Sequence, residues 1–257
     1  MNLILLGFFG SLAAGMMTSV GAVPALFGRT VSRKTTDMML GFAAGVMLAA
    51  TFFSLLAPAI DIASDSYGEG AIPAAIAVAG VLLGAGIIML LDEHLPHEHF
   101  ISGREGPEAT ELRRIWLFIF AIALHNAPEG MAVGVGFGSG NMAAGTQIAL
   151  GIGLQNAPEG LAVAVALLSK GYNRVFAFWV ATLTGLIEPV TGLLAAVAVS
   201  VSGVLLPWGM AFAAGAMLYV ISHEIIPETH RHGHQSRATH GLLFGFMLMM
   251  FLDVWLG

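Results

Sequence analysis

At 257 residues the chain is long enough for one or two domains, but 57% of it is apolar, only 10% is charged, and its mean hydropathy is +0.84. A soluble domain carries about a quarter of its residues as charges, so this composition excludes one and selects an integral membrane protein. A formal net charge of −6 without a basic stripe excludes a nucleic-acid partner, and the lack of cysteine excludes disulfides and thiolate metal sites.

The first apolar run, near residues 3–26, precedes every basic residue, the first being Arg29. It lacks the charged n-region of a cleaved signal peptide and reads as a first span. Further runs long enough to cross a hydrocarbon core of about 30 Å follow near 38–57, 72–91, 115–137, 145–168, 176–201, 208–227 and 241–256. Short connectors carry the helix breakers Pro58, Pro73, Pro96, Gly138-Ser139-Gly140, Gly171 and Pro207. The prediction is an all-α polytopic membrane protein, one transmembrane domain over 1–257 with eight helices and His-rich connectors at 92–114 and 228–240.

Charge sets the direction. Arg29, Arg33 and Lys34 follow span one, and Arg104, Arg113 and Arg114 follow span three. Lys170 and Arg174 follow span five, and Arg231 and Arg237 follow span seven. No basic residue follows spans two, four or six. The positive-inside rule places the odd connectors in the cytoplasm and both termini outside, in a cell (inner) membrane. Glycines at four-residue spacing, as in Gly41/Gly45, Gly80/Gly84 and Gly130/Gly134/Gly138, suit close helix packing and would permit a homodimer.

Spans four and five carry a repeat. Leu124-His125-Asn126-Ala127-Pro128-Glu129-Gly130 recurs as Leu154-Gln155-Asn156-Ala157-Pro158-Glu159-Gly160, and each copy continues with a residue, Ala and Val. Each begins about ten residues into its span, roughly 15 Å deep, on helices that run in opposite directions. His125 and Glu129 share a helix face at i,i+4, as do Gln155 and Glu159, with Asn126 and Asn156 one step round the turn. Pro128 and Pro158 free the carbonyls of Leu124 and Leu154 beside them. Glu188, followed by Pro189, reaches a similar depth in span six, and Met47 in span two offers a soft thioether.

An ionised carboxylate at the bilayer centre costs at least about 2.5 kcal/mol. Three near one depth, with no Lys or Arg in any span, require another source of positive charge. A divalent cation supplies it, with protons on some carboxylates when the ion is absent. The predicted metal site lies at mid-membrane between helices 4, 5 and 6.

At these residues the chain resembles the ZIP (Zrt-, Irt-like) family of metal transporters, particularly its small bacterial GufA-like branch. The motifs His125–Gly130, Gln155–Gly160 and Glu188-Pro189 carry the resemblance, supported by Gly41–Leu48 and Ser222–Glu228. It implies uptake toward the cytoplasm by alternating access, through a site at His125, Asn126, Glu129, Gln155, Glu159 and Glu188 with Met47 nearby. Some bacterial members hold two metals bridged by the motif glutamates and carry an acidic residue where this chain has Asn156, a weaker ligand. The resemblance also implies that spans one to three are related by inversion to spans six to eight, although that outer part shows no convincing sequence repeat.

The same resemblance makes His223, Glu224 and Glu228 part of an exit route, the alternative being a solvated helix end. His94, His97 and His99, then His230, His232, His234 and His240, either bind metal weakly or form solvated loops. Asp61 and Asp253, near outer helix ends, are candidates for an entrance; Asp65 and Glu69 read as an ordinary polar loop.

The expected function is transport of a divalent metal as substrate, Zn²⁺ first, with Cd²⁺, Fe²⁺, Mn²⁺ and Co²⁺ as other cations that suit His, carboxylate and amide ligands. No phosphate-binding G-x-x-x-x-G-K-[ST] sequence is present. A potential of 100 mV, negative inside, favours dication entry by roughly 5 kcal/mol without ATP. The alternatives are an intramembrane metalloenzyme built on the histidine clusters and a metal sensor that binds without translocating.

Overall fold

The structure is a computed structural model and describes residues 2–27, 32–94, 97–99, 103–105, 126–169, 171–230 and 233–256. Among the described residues, seven helical spans are long and apolar enough to cross a membrane. They are α1 (Leu3–Leu26), a continuous second span made of α2 (Arg33–Ala49), a π-helical turn (Ala50–Leu56) and α3 (Ala57–Tyr67), and α4 (Ala71–His94). After α5, described over 126–138, come α6 (Met142–Ser169) and a sixth span broken into α7 (Arg174–Gly185) and α8 (Ile187–Val201). The seventh comprises α9 (Leu205–Val220), a second π-helical turn (Ile221–Ile225) and α10 (Ile226–His230), and α11 (Gln235–Leu256) is the last. The chain is therefore a helical, multi-pass membrane protein in which α5 occupies the place of the fourth span.

Local chemistry starts the helices where connectors end. Asn2, Ser32, Asn141 and Asn173 each turn a side-chain oxygen onto a backbone N–H of the first turn, at 3.0 to 3.2 Å for the first three and 2.8 Å for Asn173. Gly140 takes a left-handed φ of 83° to turn the chain from α5 into α6.

Several expected boundaries are corrected. Pro58 was expected in a connector, but it is the second residue of α3, where the missing N–H needs no ordinary α-helical partner because a π-turn precedes it. Asp61 lies on this helix, as its place near a helix end led one to expect, and Asp65 lies on it too rather than in a polar loop, both exposed. Pro73 and Pro207 likewise fall in first turns, of α4 and α9. The His-rich connector after span three contains an antiparallel pair of three-residue strands, β1 (His97–His99) and β2 (Gly103–Glu105).

The outer spans also repeat, contrary to the expectation from sequence. Phe42-Ala43-Ala44-Gly45-Val46-Met47-Leu48 on α2 returns as Phe212-Ala213-Ala214-Gly215-Ala216-Met217-Leu218 on α9. Each copy leads into a π-turn and then a helix with proline second, Pro58 or Pro227. Their partners repeat too: Gly80, Leu82, Gly84, Met89, Leu91 and Asp92 on α4 match Gly241, Leu243, Gly245, Met250, Leu252 and Asp253 on α11.

Packing obeys the same symmetry. A Cβ on Gly41 or Gly45 would strike the backbone of Ala238 or Leu242, so α2 and α11 run parallel in close contact. A Cβ on Gly80 would meet Ala211, and one on Gly84 the backbone of Phe212 and Ala216, so α4 and α9 run parallel as well. The short turn between α3 and α4 reverses the chain, so spans two and eight oppose spans three and seven. The glycine faces that would permit a dimer are thus occupied within the chain, where close backbone approach stabilises helix pairs in lipid. Met47 and Met217, both fully buried, meet in one apolar cluster with Ala132 and Val133 of α5 and Ile148 and Ile152 of α6.

Candidate metal centre

The polar centre is assembled by three spans. Asn126 and Glu129 on α5, Gln155, Asn156 and Glu159 on α6, and Glu188 on α8 are all buried. Gln155 Nε2 donates to Glu129 Oε1 at 2.5 Å, and Asn156 Nδ2 donates to Glu188 Oε1 at 2.7 Å. Two consecutive amides of the fifth span therefore hold a carboxylate of the fourth and a carboxylate of the sixth. Asn156 Nδ2 also reaches the carbonyl of Ala14 on α1 at 2.9 Å. Among the described residues, the buried oxygens Gln155 Oε1 and Asn156 Oδ1 accept no hydrogen bond. Buried acceptors of this kind cost free energy unless a donor or a cation meets them.

Glu188 owes its place to the break in span six. Leu186 alone interrupts the span, because Pro189 has no N–H to continue the ladder back to Gly185. Glu188 then stands in the first turn of α8, where the helix N-terminus favours negative charge. Gly15 and Gly185 lie so close that a Cβ on either would strike the other's carbonyl, which fixes α1 against this break. Gly130 packs on Glu188 and Thr191 in the same manner, so α5 is pressed directly onto the turn bearing the carboxylate. A glycine-lined approach places backbones, and through them the carboxylates, without leaving space for lipid or water.

Other expected residues are distributed differently. His125 lies outside the described residues, as do Lys170, Arg231 and His232. Met47 is buried in the apolar cluster shared by α2, α5, α6 and α9. Among the described residues, no three His, Asp or Glu side chains form a group that could hold a metal.

His223 and Glu224 lie in the second π-turn, and Glu228 on α10 is buried, which corrects the picture of a wholly solvated helix end. His223 Nε2 stands 3.1 Å from Asp92 Oδ2, its ring stacked on Tyr219 with centroids 5.1 Å apart. Tyr219 Oη donates to Asp92 Oδ2 at 2.9 Å. His230 is held by Thr229 and the Ile226 carbonyl at 2.8 and 2.9 Å, and His234 Nδ1 by the buried Asp37 at 2.7 Å. His240 is exposed. At the other end, Ser54 Oγ donates to Asp253 Oδ1 at 2.8 Å and Gln147 donates to the same oxygen, whereas Asp61 faces outward. Ser54, Gln147, Asp92, Tyr219 and Asp37 were not foreseen. The repeat joining Asp92 to Asp253 was the signal for one of them.

A multi-pass helical bundle with carboxylates and amides buried at its centre defines a membrane protein for small cations, since no apolar solute needs such groups. Comparison with known proteins gives the particular family. A profile described as ZIP Zinc transporter matches residues 93–253. The chain is 45% identical over 251 residues to the Zinc transporter GufA of Myxococcus xanthus, covering 98% of this chain and 99% of that one. It is 49% identical over 250 residues to the Zinc transporter ZIPB of Bordetella bronchiseptica, covering 96% and 80%, and 35% identical over 322 aligned positions to the human Zinc transporter ZIP11, covering 94% of each. The chain belongs to the ZIP zinc transporter family, a family of transporters and not of enzymes.

Proposed function

We propose that this zinc transporter moves Zn²⁺ toward the cytoplasm by alternating access, without ATP, through the centre formed by His125, Asn126, Glu129, Gln155, Asn156, Glu159 and Glu188 with Met47 beside it. The observation that carries this reading is the pair of amide bridges from consecutive residues Gln155 and Asn156 to Glu129 and Glu188. They hold carboxylates of two spans next to unsatisfied amide oxygens in a dry interior, a donor set for a borderline dication. The zinc transporters to which the chain is similar support the choice of metal. Cd²⁺, Fe²⁺, Mn²⁺ and Co²⁺ suit the same donors and are competing substrates in this reading.

Both termini face outward, by the charge of the connectors, in the cell membrane. Asp253 and Asp61 then belong to the outer half, and His223, Glu224 and Glu228 to the exit. Zinc meets the buried carboxylates in place of their amide donors, crosses as the bundle closes behind it, and leaves past the Asp92–His223 pair. The membrane potential supplies the drive.

Purified protein in liposomes holding a zinc indicator tests the reading, with potential and pH gradient set independently. Zinc entry in the native chain, lost in Glu129→Ala and in Glu159→Ala, supports transport through this centre. Flux no greater than in empty liposomes, for zinc and for the other dications, overturns it.

A further inference from the structure

The inverted repeat brings two small polar clusters into correspondence, one toward each end of the bundle. Counting back from the paired prolines, Ser54 is four residues before Pro58 and His223 is four residues before Pro227. Counting forward from the paired glycines, Asp92 is twelve residues after Gly80 and Asp253 twelve after Gly241. The structure joins these positions crosswise in the same manner: Ser54 to Asp253 at 2.8 Å, and His223 to Asp92 at 3.1 Å. Each aspartate takes a second donor, Gln147 in one cluster and Tyr219 in the other.

Both clusters sit on a π-turn. The methionine-to-proline spacing differs by one residue between the copies, eleven from Met47 to Pro58 and ten from Met217 to Pro227. A π-turn accommodates such a difference, because it departs locally from the regular i→i−4 ladder. Each proline falls four residues after Ser54 or His223, and the wider ladder of the π-turn, seen in Ala57 N–H to the Phe52 carbonyl and Ile226 N–H to the Ile221 carbonyl, runs through that position. The helix thus departs from regular α geometry at the residue that holds the aspartate. Spans two and eight run opposite to spans three and seven, so Asp253 and Asp92, each near the end of its helix, lie at opposite ends of the molecule.

We propose that Ser54–Asp253–Gln147 and Tyr219–Asp92–His223 are equivalent latches, each holding one mouth of the cation pathway shut by tying the π-turn of one span to the parallel span beside it. The inference rests on the carrier reading above. Both contacts are made in this structure, and in this proposal each keeps its own mouth shut while it lasts. A dication that reaches either aspartate competes with these donors for the carboxylate, and loss of those bonds frees the π-turn to move. The residues assigned here position the helices and take no part in the central donor set.

Accessibility tests this without relying on zinc flux. The chain has no cysteine, so single reporters are clean. Thr51→Cys and Val220→Cys are equivalent by the proline count and are both buried. Reconstituted full-length protein is treated with a membrane-impermeant thiol reagent, in the metal-free form. Ser54→Ala should speed labelling of Thr51→Cys at least about tenfold, the lower end of the worth of one hydrogen bond to a charged group, and leave Val220→Cys within about twofold. Tyr219→Phe and His223→Ala should do the reverse, and Ser54→Thr, which retains the hydroxyl, should restore slow labelling. No acceleration at the variant's own end, or equal acceleration at both ends, overturns the latches. If zinc flux fails in the native chain while this end-specific pattern persists, the transport reading falls and the latches stand.

Discussion

Asn156 Nδ2 stands 2.7 Å from Glu188 Oε1 and 2.9 Å from the carbonyl of Ala14, so one uncharged side chain on the fifth span ties the sixth span to the first. Its donors are used on the protein itself, and only its oxygen faces the centre unsatisfied. Asn156 is therefore a bridge as much as a ligand. That bears directly on how many ions the centre holds.

Asn156→Asp exchanges the donor for a second carboxylate beside Glu188. The metal-free protein should lose about 1–3 kcal/mol of stability, from the broken bond and the like-charge contact. Zinc should restore more than it does in the native chain, and the bound zinc per chain should rise toward a second ion. Thermal unfolding in detergent with and without zinc, together with elemental analysis, measures both. An unchanged metal-free melting temperature would remove the bridge from the account.

Glu129→Gln keeps the volume and still offers an oxygen to Gln155, but removes the charge. Zinc influx into liposomes should fall at least about tenfold, equivalent to about 1.4 kcal/mol, while the melting temperature stays close to native. A comparable loss of stability and flux would mean that the charge serves packing instead of the ion.

Met47→Leu conserves volume in a fully buried position, so folding should change by less than about 1.5 kcal/mol. The thioether is a soft donor, and its loss should weaken Cd²⁺ transport more than that of Zn²⁺, and Mn²⁺ least. Competition of each cation against labelled zinc gives the order. Equal losses for all three would take Met47 off the pathway.

Gly45→Ala places a methyl against the Leu242 carbonyl and the Phe246 amide, neither of which can yield without moving α11. It should destabilise the protein by about 1–3 kcal/mol. Gly86→Ala on α4 enters open space and should be neutral or stabilising by up to about 1 kcal/mol. Melting temperatures in one detergent compare the two. If Gly45→Ala melts with Gly86→Ala, the parallel contact between spans two and eight is not a tight one.

Much of the centre was legible because its chemistry is written in short, exact spacings. Asn-x-Pro-Glu-Gly twice in neighbouring apolar runs, and Glu188 before a proline, allow few other readings in a membrane. The repeat of Phe42–Leu48 in Phe212–Leu218 was also present in the chain, yet was missed. Its meaning emerges only when both copies are seen to lead into π-turns and to pair with parallel glycine-lined helices. Helix ends were the other weakness. Pro58 looked like a terminator because proline ends ordinary α-helices, and nothing local announced the π-turn that lets span two continue for 35 residues.

By itself the sequence determined the class, the alternation of apolar runs with charged connectors, and the paired motifs at mid-span, since hydrophobic length and buried charge are decided by composition along the chain. The tertiary structure alone decided which donor meets which acceptor. Gln155 and Asn156 are neighbours in sequence, but only packing shows that one holds Glu129 and the other Glu188. The same is true of Ser54 with Asp253 and of His223 with Asp92, whose contacts depend on which helices lie parallel. Apolar periodicity says that a helix buries a face; the backbone approach permitted by glycines says against what.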